Sequence, residues 1–179
     1  MSACEAAPTE LASDDRRARI DDPRSRICLV GEDNPLSDAL EHALYCYPPG
    51  CSGARLRWIL GLPEDDYLAL HRTNLCASEA WSMREARRRA ALLSADPSAP
   101  WRILVLLGRK VADAFSYERP FFTTGIEPAT ATWREPLWLV SLPHPSGRVT
   151  LWNKEEHRLR ARAILRELAP AIGWGDPNA

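Results

Sequence analysis

The sequence predicts an α/β fold: a three-layer α/β/α sandwich with a central sheet of four parallel strands. Four short apolar runs alternate with segments of helical periodicity along the chain. The runs are almost continuously apolar, which is typical of strands covered by helices on both faces of a parallel sheet. With 179 residues, of which 45% are hydrophobic, the chain is long enough for one domain with a sizeable core.

The predicted elements alternate in order along the chain. The strands are "RICLVG" at 26–31, "LALHRTNL" at 68–75, "RILVLLG" at 102–108 and "LWLVSL" at 137–142. The helices are "LSDALEHAL" at 36–44, "ARLRWILGL" at 54–62, "SMREARRRAALL" at 82–93, "RKVADAF" at 109–115 and a final one within 154–173. Because helices separate successive strands, we expect right-handed crossovers between parallel neighbours.

The first 25 residues differ in composition from the rest. They are rich in alanine, serine, aspartate and arginine without apolar periodicity, so we expect a mobile tail at 1–25 and a single domain at 26–179. The net charge of −1 neither favours nor excludes nucleic acid, which a local basic patch would have to bind.

No apolar run approaches the roughly 18 residues of a membrane span, and the N-terminus lacks the basic-then-apolar pattern of a signal peptide. We therefore expect a cytoplasmic monomer without a membrane partner. The five cysteines form an odd set without a CxxC motif, which weakens both a disulfide framework and a zinc site. We expect no metal.

Polar residues gather where the predicted strands end. In an open parallel sheet, ligands bind beyond the carboxyl ends of the strands, so these residues would face one crevice. They are Glu32, Asp33 and Asn34 after the first strand, Asn74 at the end of the second, Gly108, Arg109 and Lys110 after the third, and His144, Ser146, Gly147 and Arg148 after the fourth.

Each of these groups also has a purely structural explanation. Glu32 and Asp33 can flank a turn at Asn34, and Asn74 can be a strand-end turn residue. A lone loop histidine such as His144 is more often structural than catalytic. The occurrence of these residue types at all four strand ends favours a site. If it is coincidence, the chain is an unrelated flavodoxin-like domain.

Four motifs, in order, resemble those of the uracil-DNA glycosylase superfamily. "GEDNP" at 31–35 is similar to its first motif and "HPSG" at 144–147 to its late loop. "GCSGARLRWILGL" at 50–62, followed by "TNLC" at 73–76, is similar to the thermostable iron-sulfur branch. "LVLLGRKVADAF" at 104–115 is similar to the superfamily's third strand and helix. The resemblance covers roughly residues 27–168, and the ordered set is more specific than any single motif.

Three features depart from that pattern. Of the cysteines that hold the iron-sulfur cluster, only Cys76 has a counterpart, so we expect no cluster and no other cofactor. "GEDNP" is one residue longer than the superfamily's motif, so either Asp33 or Asn34 takes the catalytic position. No phenylalanine matches the one that stacks on the pyrimidine. Tyr47 is the nearest aromatic residue, and Tyr45 is the second.

The resemblance implies a DNA glycosylase that hydrolyses the N-glycosidic bond of uracil or a related pyrimidine. In this reaction the base leaves as an anion while the sugar becomes cation-like. On this interpretation His144 donates a hydrogen bond to the base oxygen that gains negative charge. Asp33 or Asn34 holds the attacking water, and Glu32 is the reserve candidate.

The partner would then be DNA, single- or double-stranded, with the target base flipped out of the stack. Asn74 would bind that base through the adjacent donor and acceptor of its amide, with Tyr47 stacked on it. The predicted DNA contacts are Ser146 and Gly147 at a phosphate, and Lys110 and Arg109 at further phosphates. Arg148, Val149 or Leu151 would enter the space left by the base.

Two other functions stay open on the sequence. A DNA-binding or sensing module of the same fold without efficient catalysis is compatible with the lengthened first motif. A defence-type glycosylase for hypermodified bases would need a roomier pocket around Tyr47. In a structure, the glycosylase interpretation requires Asp33 or Asn34 to surround one pocket together with Asn74 and His144.

Overall fold

A five-stranded sheet lies at the centre of the described part of the chain. The computed structural model describes residues 22–33, 42–77, 81–127 and 136–175. The sheet is mixed: β1 pairs parallel with β2 and β3, β3 pairs parallel with β5, and β4 is antiparallel to β5. The strands are β1 (Ile27–Gly31), β2 (His71–Asn74), β3 (Ile103–Leu107), β4 (Thr123–Glu127) and β5 (Leu137–Leu142), in the order β2-β1-β3-β5-β4. The predicted α/β class with a largely parallel sheet is confirmed.

The predicted number of four strands is wrong, because the sheet carries β4 as an additional edge strand. Its sequence, "TTGIE", lacks an apolar run and has a glycine at its centre. Only Gly125 is buried in this strand, whereas Ile126 and Glu127 are exposed. An antiparallel edge strand has a solvated side, so it lacks the continuous apolar pattern by which the other strands were predicted.

The described residues also form five α-helices, four of which overlap helices predicted from the sequence. The predicted helix at 36–44 falls mainly on residues 34–41, which lie outside the described ranges. The helices are α1 (Ser52–Leu60), α2 (Glu64–Ala69), α3 (Met83–Ala95), α4 (Arg109–Ala114) and α5 (Glu155–Leu168), with 3-10 helices at Pro23–Arg26 and Thr150–Asn153. None of these helices is long and apolar enough to cross a membrane.

Helix α2 corrects the predicted bounds of the second strand. That strand was predicted to begin at Leu68, but Leu68 and Ala69 end α2 and β2 begins at His71. Pro63 precedes the helix, and its first turn holds three acidic residues. Negative charges stabilise a helix N-terminus, so this local signal outweighs the short apolar stretch that follows.

Apolar side chains of the strands pack on both faces of the sheet. On one face, Leu29 and Val105 belong to a cluster with residues of α1, α2 and α5. On the other face, Val30 and Leu106 belong to a cluster with residues of α3 and α4. Neighbouring residues along a strand point to opposite faces, so two covered faces explain why β1 and β3 are apolar throughout.

The described chain begins in a turn that is tied to α2. Asp22 accepts the backbone N–H of Arg24, and the Arg24 guanidinium lies 2.7 Å from Asp66 of α2. Ser25 is buried. Residues 22–25, which the sequence assigns to the tail, therefore make contacts with the domain.

Candidate active site

The carboxyl ends of β1, β2, β3 and β5 lie along one edge of the sheet. Gly31 at the end of β1 is the register partner of Asn74 at the end of β2. The Leu75 N–H then donates to the Gly31 carbonyl over 3.1 Å. After β3, the Gly108 N–H donates to the Leu142 carbonyl of β5 over 2.8 Å. The residues that follow these strands are thus brought to the same edge.

Gly108 lies against both Glu32 and His144. A Cβ at position 108 would be 3.1 Å from Glu32 Oε1 and 3.2 Å from His144 Cβ. Gly108 also has a φ of +103°, a backbone conformation that favours glycine. The absence of a side chain at this position therefore lets a carboxylate from the β1 end and the imidazole from the β5 end approach each other.

The hydrogen bond of His144 fixes its tautomer. The Ser146 N–H donates to Nδ1 over 3.1 Å, so Nδ1 is an acceptor and the proton of the neutral ring lies on Nε2. Burial lowers the pKa of His144, although the negative charges of Glu32 and Asp33 oppose that shift and Lys110 adds to it. The neutral ring with an Nε2–H donor is therefore the form present at neutral pH.

Lys110 contacts Glu32, a partner that the sequence did not predict for it. The Lys110 Nζ lies 3.2 Å from Glu32 Oε2, and it also lies 5.5 Å from the centre of the Trp81 ring. The Lys110 side chain is 55% exposed. The Glu32 side chain is 18% exposed, so only the lysine end of this pair is open to solvent and to a phosphate that competes for it.

Asn74 carries a buried acceptor without a hydrogen-bond partner. The residue is 3% exposed, and its Oδ1 accepts no hydrogen bond from the residues that the structure describes. A Cβ at Gly31 would overlap Asn74 Oδ1 and would also lie 3.2 Å from Leu44 Cδ2. Glycine at position 31 therefore lets the amide of Asn74 lie over the end of β1. An unsatisfied buried acceptor is costly, about 1–3 kcal/mol, so the Oδ1 of Asn74 gains from a ligand that supplies a donor.

Two residues that the sequence did not single out, Trp152 and Arg55, form hydrogen bonds with the loop after β5. The fully buried Trp152 donates from Nε1 to the His144 carbonyl over 3.1 Å. Arg55 of α1 donates to the Val149 carbonyl over 3.2 Å and to Asn153 Oδ1 over 3.0 Å. The Arg55 contacts join segments far apart in the chain, so no local sequence pattern identifies them.

The other predicted DNA contacts lie at the accessible side of this loop. Gly147 and Arg148 are exposed, and Ser146 is partly exposed. The Val149 N–H donates to the Ser146 carbonyl over 3.0 Å, which closes a tight turn around Gly147 and Arg148. The turn thus presents both residues to solvent next to His144.

Tyr47 contacts Glu64 and Tyr45. Its hydroxyl donates to Glu64 Oε2 over 2.6 Å, and its ring centre lies 5.8 Å from that of Tyr45. Among the described residues, no hydrogen bond or ring contact joins Tyr47 to Asn74 or His144. The residue of this segment that packs beside Gly31 and Asn74 is instead Leu44, which the sequence did not indicate.

The first motif is described only in part. Asp33 is partly exposed, and its negative charge opposes the lowering of the His144 pKa by burial. Asn34 lies outside the described residues. Cys76 is buried, and its thiol donates to the Ser82 carbonyl over 3.7 Å. Within the described ranges, no group of three or more His, Cys, Asp or Glu side chains is arranged to hold a metal ion.

The site therefore has two halves. In the half next to β5, Glu32 and His144 lie against Gly108, and the charges of Asp33 and Lys110 act on His144. In the half next to β2, Asn74 lies against Gly31. A scan against known protein families and a search of curated proteins return no match. The chemistry of these residues is what indicates a function.

Proposed function

We propose that this protein is a DNA glycosylase with the architecture of a three-layer α/β/α sandwich, and that it removes uracil or a related pyrimidine from DNA. One observation carries the proposal. A neutral histidine with its proton on Nε2 lies beside the carboxylates of Glu32 and Asp33, at the sheet edge where Asn74 holds an unpaired acceptor. These groups suit the cleavage of an N-glycosidic bond, which needs a donor for the leaving base, a negative charge near the sugar and an oriented water.

His144 stabilises the leaving base. As the bond breaks, negative charge develops on the pyrimidine oxygen, and a fixed donor stabilises that charge best when it is oriented before the reaction. The Ser146 N–H orients the ring from the Nδ1 side, which leaves Nε2–H as the donor toward the base. A neutral donor suffices, so the lowered pKa of His144 is compatible with this role.

The carboxylates act on the sugar and the water. Glu32 packs beside His144 on Gly108, and its charge stabilises the cation-like sugar. Asp33, which follows it directly, or Asn34 orients the water that attacks the sugar carbon. Lys110 is released from Glu32 when a DNA phosphate attracts it, and Glu32 then keeps its full charge for the sugar.

Asn74 recognises the base. Its Oδ1 accepts a hydrogen bond from N3–H of uracil, and its amide N–H donates to the neighbouring oxygen. The unpaired state of Oδ1 supports this role, because a base that supplies the missing donor removes the cost of the buried acceptor. Ser146, Gly147 and Arg148 hold the DNA at the accessible side of the loop.

A strand-cleavage assay tests the proposal. Oligonucleotides with one uracil are incubated with the parent protein, His144→Ala and Asn74→Ala, and abasic sites are then cleaved with alkali. We expect product with the parent and strong loss in both variants, in single- or double-stranded DNA. Equal product from all three preparations would indicate a contaminating glycosylase, and no product from the parent would refute removal of uracil.

A non-catalytic DNA reader is the second candidate, and the Lys110–Glu32 ion pair favours it, because a carboxylate bound to lysine is partly neutralised. In that case the parent binds uracil-containing DNA more tightly than thymine-containing DNA but releases no base. Lys110→Met removes the ion pair and so tests whether Lys110 keeps Glu32 from acting in catalysis. Release of base by this variant alone would indicate that the ion pair suppresses catalysis.

A further inference from the structure

We propose that an unpaired DNA strand beside the flipped nucleotide binds around Trp58, and that one of its bases stacks on the Trp58 ring. This inference rests on the proposed glycosylase function and adds a substrate class to it: single-stranded DNA. The binding surface consists of Arg55 and Trp58 on α1 and of Arg158 and Arg162 on α5. It is called the Trp58 surface below.

The Trp58 ring is both accessible and held in place. Trp58 is 50% exposed, although Ile59 and Leu60, the next residues of α1, are completely buried. The guanidinium carbon of Arg158 lies 4.4 Å from the ring centre, within cation–π distance. A fixed, accessible aromatic ring next to arginine is the arrangement on which proteins stack the bases of single strands.

The arginines of the Trp58 surface keep their positive charge available. Arg158 donates to the Trp152 carbonyl over 2.8 Å, and Arg162 donates to the carbonyls of Ile59 and Trp58 over 2.9 and 3.0 Å. Arg55 likewise donates to a carbonyl and an amide oxygen. None of these hydrogen bonds ends on a carboxylate, so the charges are not neutralised by them.

Two of the three charged residues that act on Arg162 are positive. Burial lowers the pKa of Arg162, and the nearby charges of Arg158 and Arg166 lower it further, whereas Glu155 opposes the shift. The other acid at the start of α5, Glu156, lies 3.8 Å from Lys154. The field around Trp58 therefore suits a phosphate backbone.

The Trp58 surface is continuous with the candidate active site. Arg55 and Arg158 both bind backbone or side-chain oxygens of the loop that follows β5. The same loop is tied to His144 through the hydrogen bond from Trp152 Nε1 to the His144 carbonyl. Arg55 and Arg158 thus connect the Trp58 surface to the loop that presents Gly147 and Arg148 to solvent.

An unpaired strand suits this surface better than a second copy of the chain or a duplex. In a symmetric dimer the arginines of one Trp58 surface would face those of the other, and like charges would repel. In a duplex the bases are stacked on their neighbours, so their faces are not available to Trp58. Only an unpaired strand offers both phosphates and free base faces.

The test is the affinity for a labelled, uracil-free thymine oligonucleotide, measured by fluorescence anisotropy beside the same sequence as a duplex. The variants are Trp58→Ala and Trp58→Phe, with Leu92→Ala as a matched control. Leu92 is 58% exposed on α3, a helix whose buried residues belong to the cluster on the other sheet face. We expect Trp58→Ala to weaken single-strand binding about tenfold, and Trp58→Phe and Leu92→Ala to stay near the parent. Duplex binding should change less.

The outcomes separate this inference from the proposed function. Unchanged single-strand affinity in Trp58→Ala, an equal loss with the duplex, or no binding by the parent overturns the inference. A Trp58-dependent change in sedimentation mass also overturns it, because the surface then joins two copies. If the parent binds through Trp58 but releases no base, the glycosylase function fails while the binding surface stands.

Discussion

The two halves of the candidate site differ in how their polar groups are satisfied. In the β5 half, the Ser146 N–H binds His144 Nδ1, Lys110 binds Glu32, and the backbone of the loop is held by Trp152. In the β2 half, Asn74 is nearly completely buried, and its Oδ1 has no partner in the described part of the chain. In the β5 half the protein supplies the groups that orient His144 and leaves its Nε2–H as a donor, whereas no described residue supplies a donor to Asn74 Oδ1.

This difference indicates that the two halves have different roles, charge stabilisation in the β5 half and base recognition in the β2 half. A group that stabilises charge in a transition state is most effective when it is oriented beforehand, as His144 is. A group that recognises a ligand gains most when its partner is missing in the free protein, because binding then removes an unsatisfied acceptor. Four predictions test this contrast, in order of decreasing effect.

The largest effect is expected for His144. Replacement by alanine removes the Nε2–H donor, and loss of one such donor lowers turnover by about 100- to 1,000-fold. His144→Gln keeps an N–H donor and should recover part of the rate. Single-turnover release of base measures both variants, and circular dichroism checks that they fold. Equal rates for His144→Ala and the parent would exclude a catalytic role for the imidazole.

The close contact at Gly31 predicts the next effect. In Gly31→Ala the new Cβ overlaps Asn74 Oδ1, so we expect a loss of about 1–3 kcal/mol in the free energy of unfolding together with weaker base binding. Gly147→Ala is the matched control, since its Cβ would meet only Arg55, at 3.6 Å. Urea denaturation measures the difference. A Gly31→Ala variant as stable as Gly147→Ala would show that Asn74 does not depend on this glycine.

Asn74→Leu separates stability from function. The leucine is similar in size and has no unsatisfied acceptor, so the free energy of unfolding should stay unchanged or rise by about 1 kcal/mol, while base release falls at least tenfold. Urea denaturation and the excision assay measure the two quantities on the same preparations. Strong destabilisation of Asn74→Leu would mean that the amide is satisfied in the free protein.

The smallest effect concerns pH. Folding lowers the pKa of His144 from its ordinary value of about 6.5. At pH values between the pKa of the folded state and about 6.5, the unfolded chain therefore binds more protons than the folded protein. In this interval the free energy of unfolding decreases as the pH falls, and base release stays constant until the pH reaches the folded value. The pH dependence of the parent is compared with that of His144→Gln. The comparison with His144→Gln isolates the contribution of His144, because burial also lowers the pKa of His71 in both proteins. If the two pH profiles of unfolding coincide, the pKa of His144 is not shifted by folding.

The parts of the fold that the sequence predicts are those with a repeated pattern. β1, β3 and β5 are almost completely buried, so their sequences are almost continuously apolar and reveal them. The edge strand β4 has no such pattern. The parallel arrangement then explains why Glu32, Asn74 and His144 were expected at one edge of the sheet.

Other features depend on tertiary contacts that no local pattern encodes. Arg55 supports a loop from a distant part of the chain, and Leu44 reaches Gly31 from a segment where the sequence pointed to Tyr47. The Lys110–Glu32 pair joins residues after two different strands. Such contacts follow only once the order of the strands is known.

The most direct measurement of the central claim is nitrogen-15 NMR of the histidine and asparagine side chains while free uracil is added at neutral pH. If both halves of the site bind one pyrimidine, His144 shows an unprotonated Nδ1 and a protonated Nε2, and its Nε2 signal and the Asn74 amide signal shift together as uracil binds. An imidazole with its proton on Nδ1, or uracil shifts confined to residues outside these two, would contradict the account.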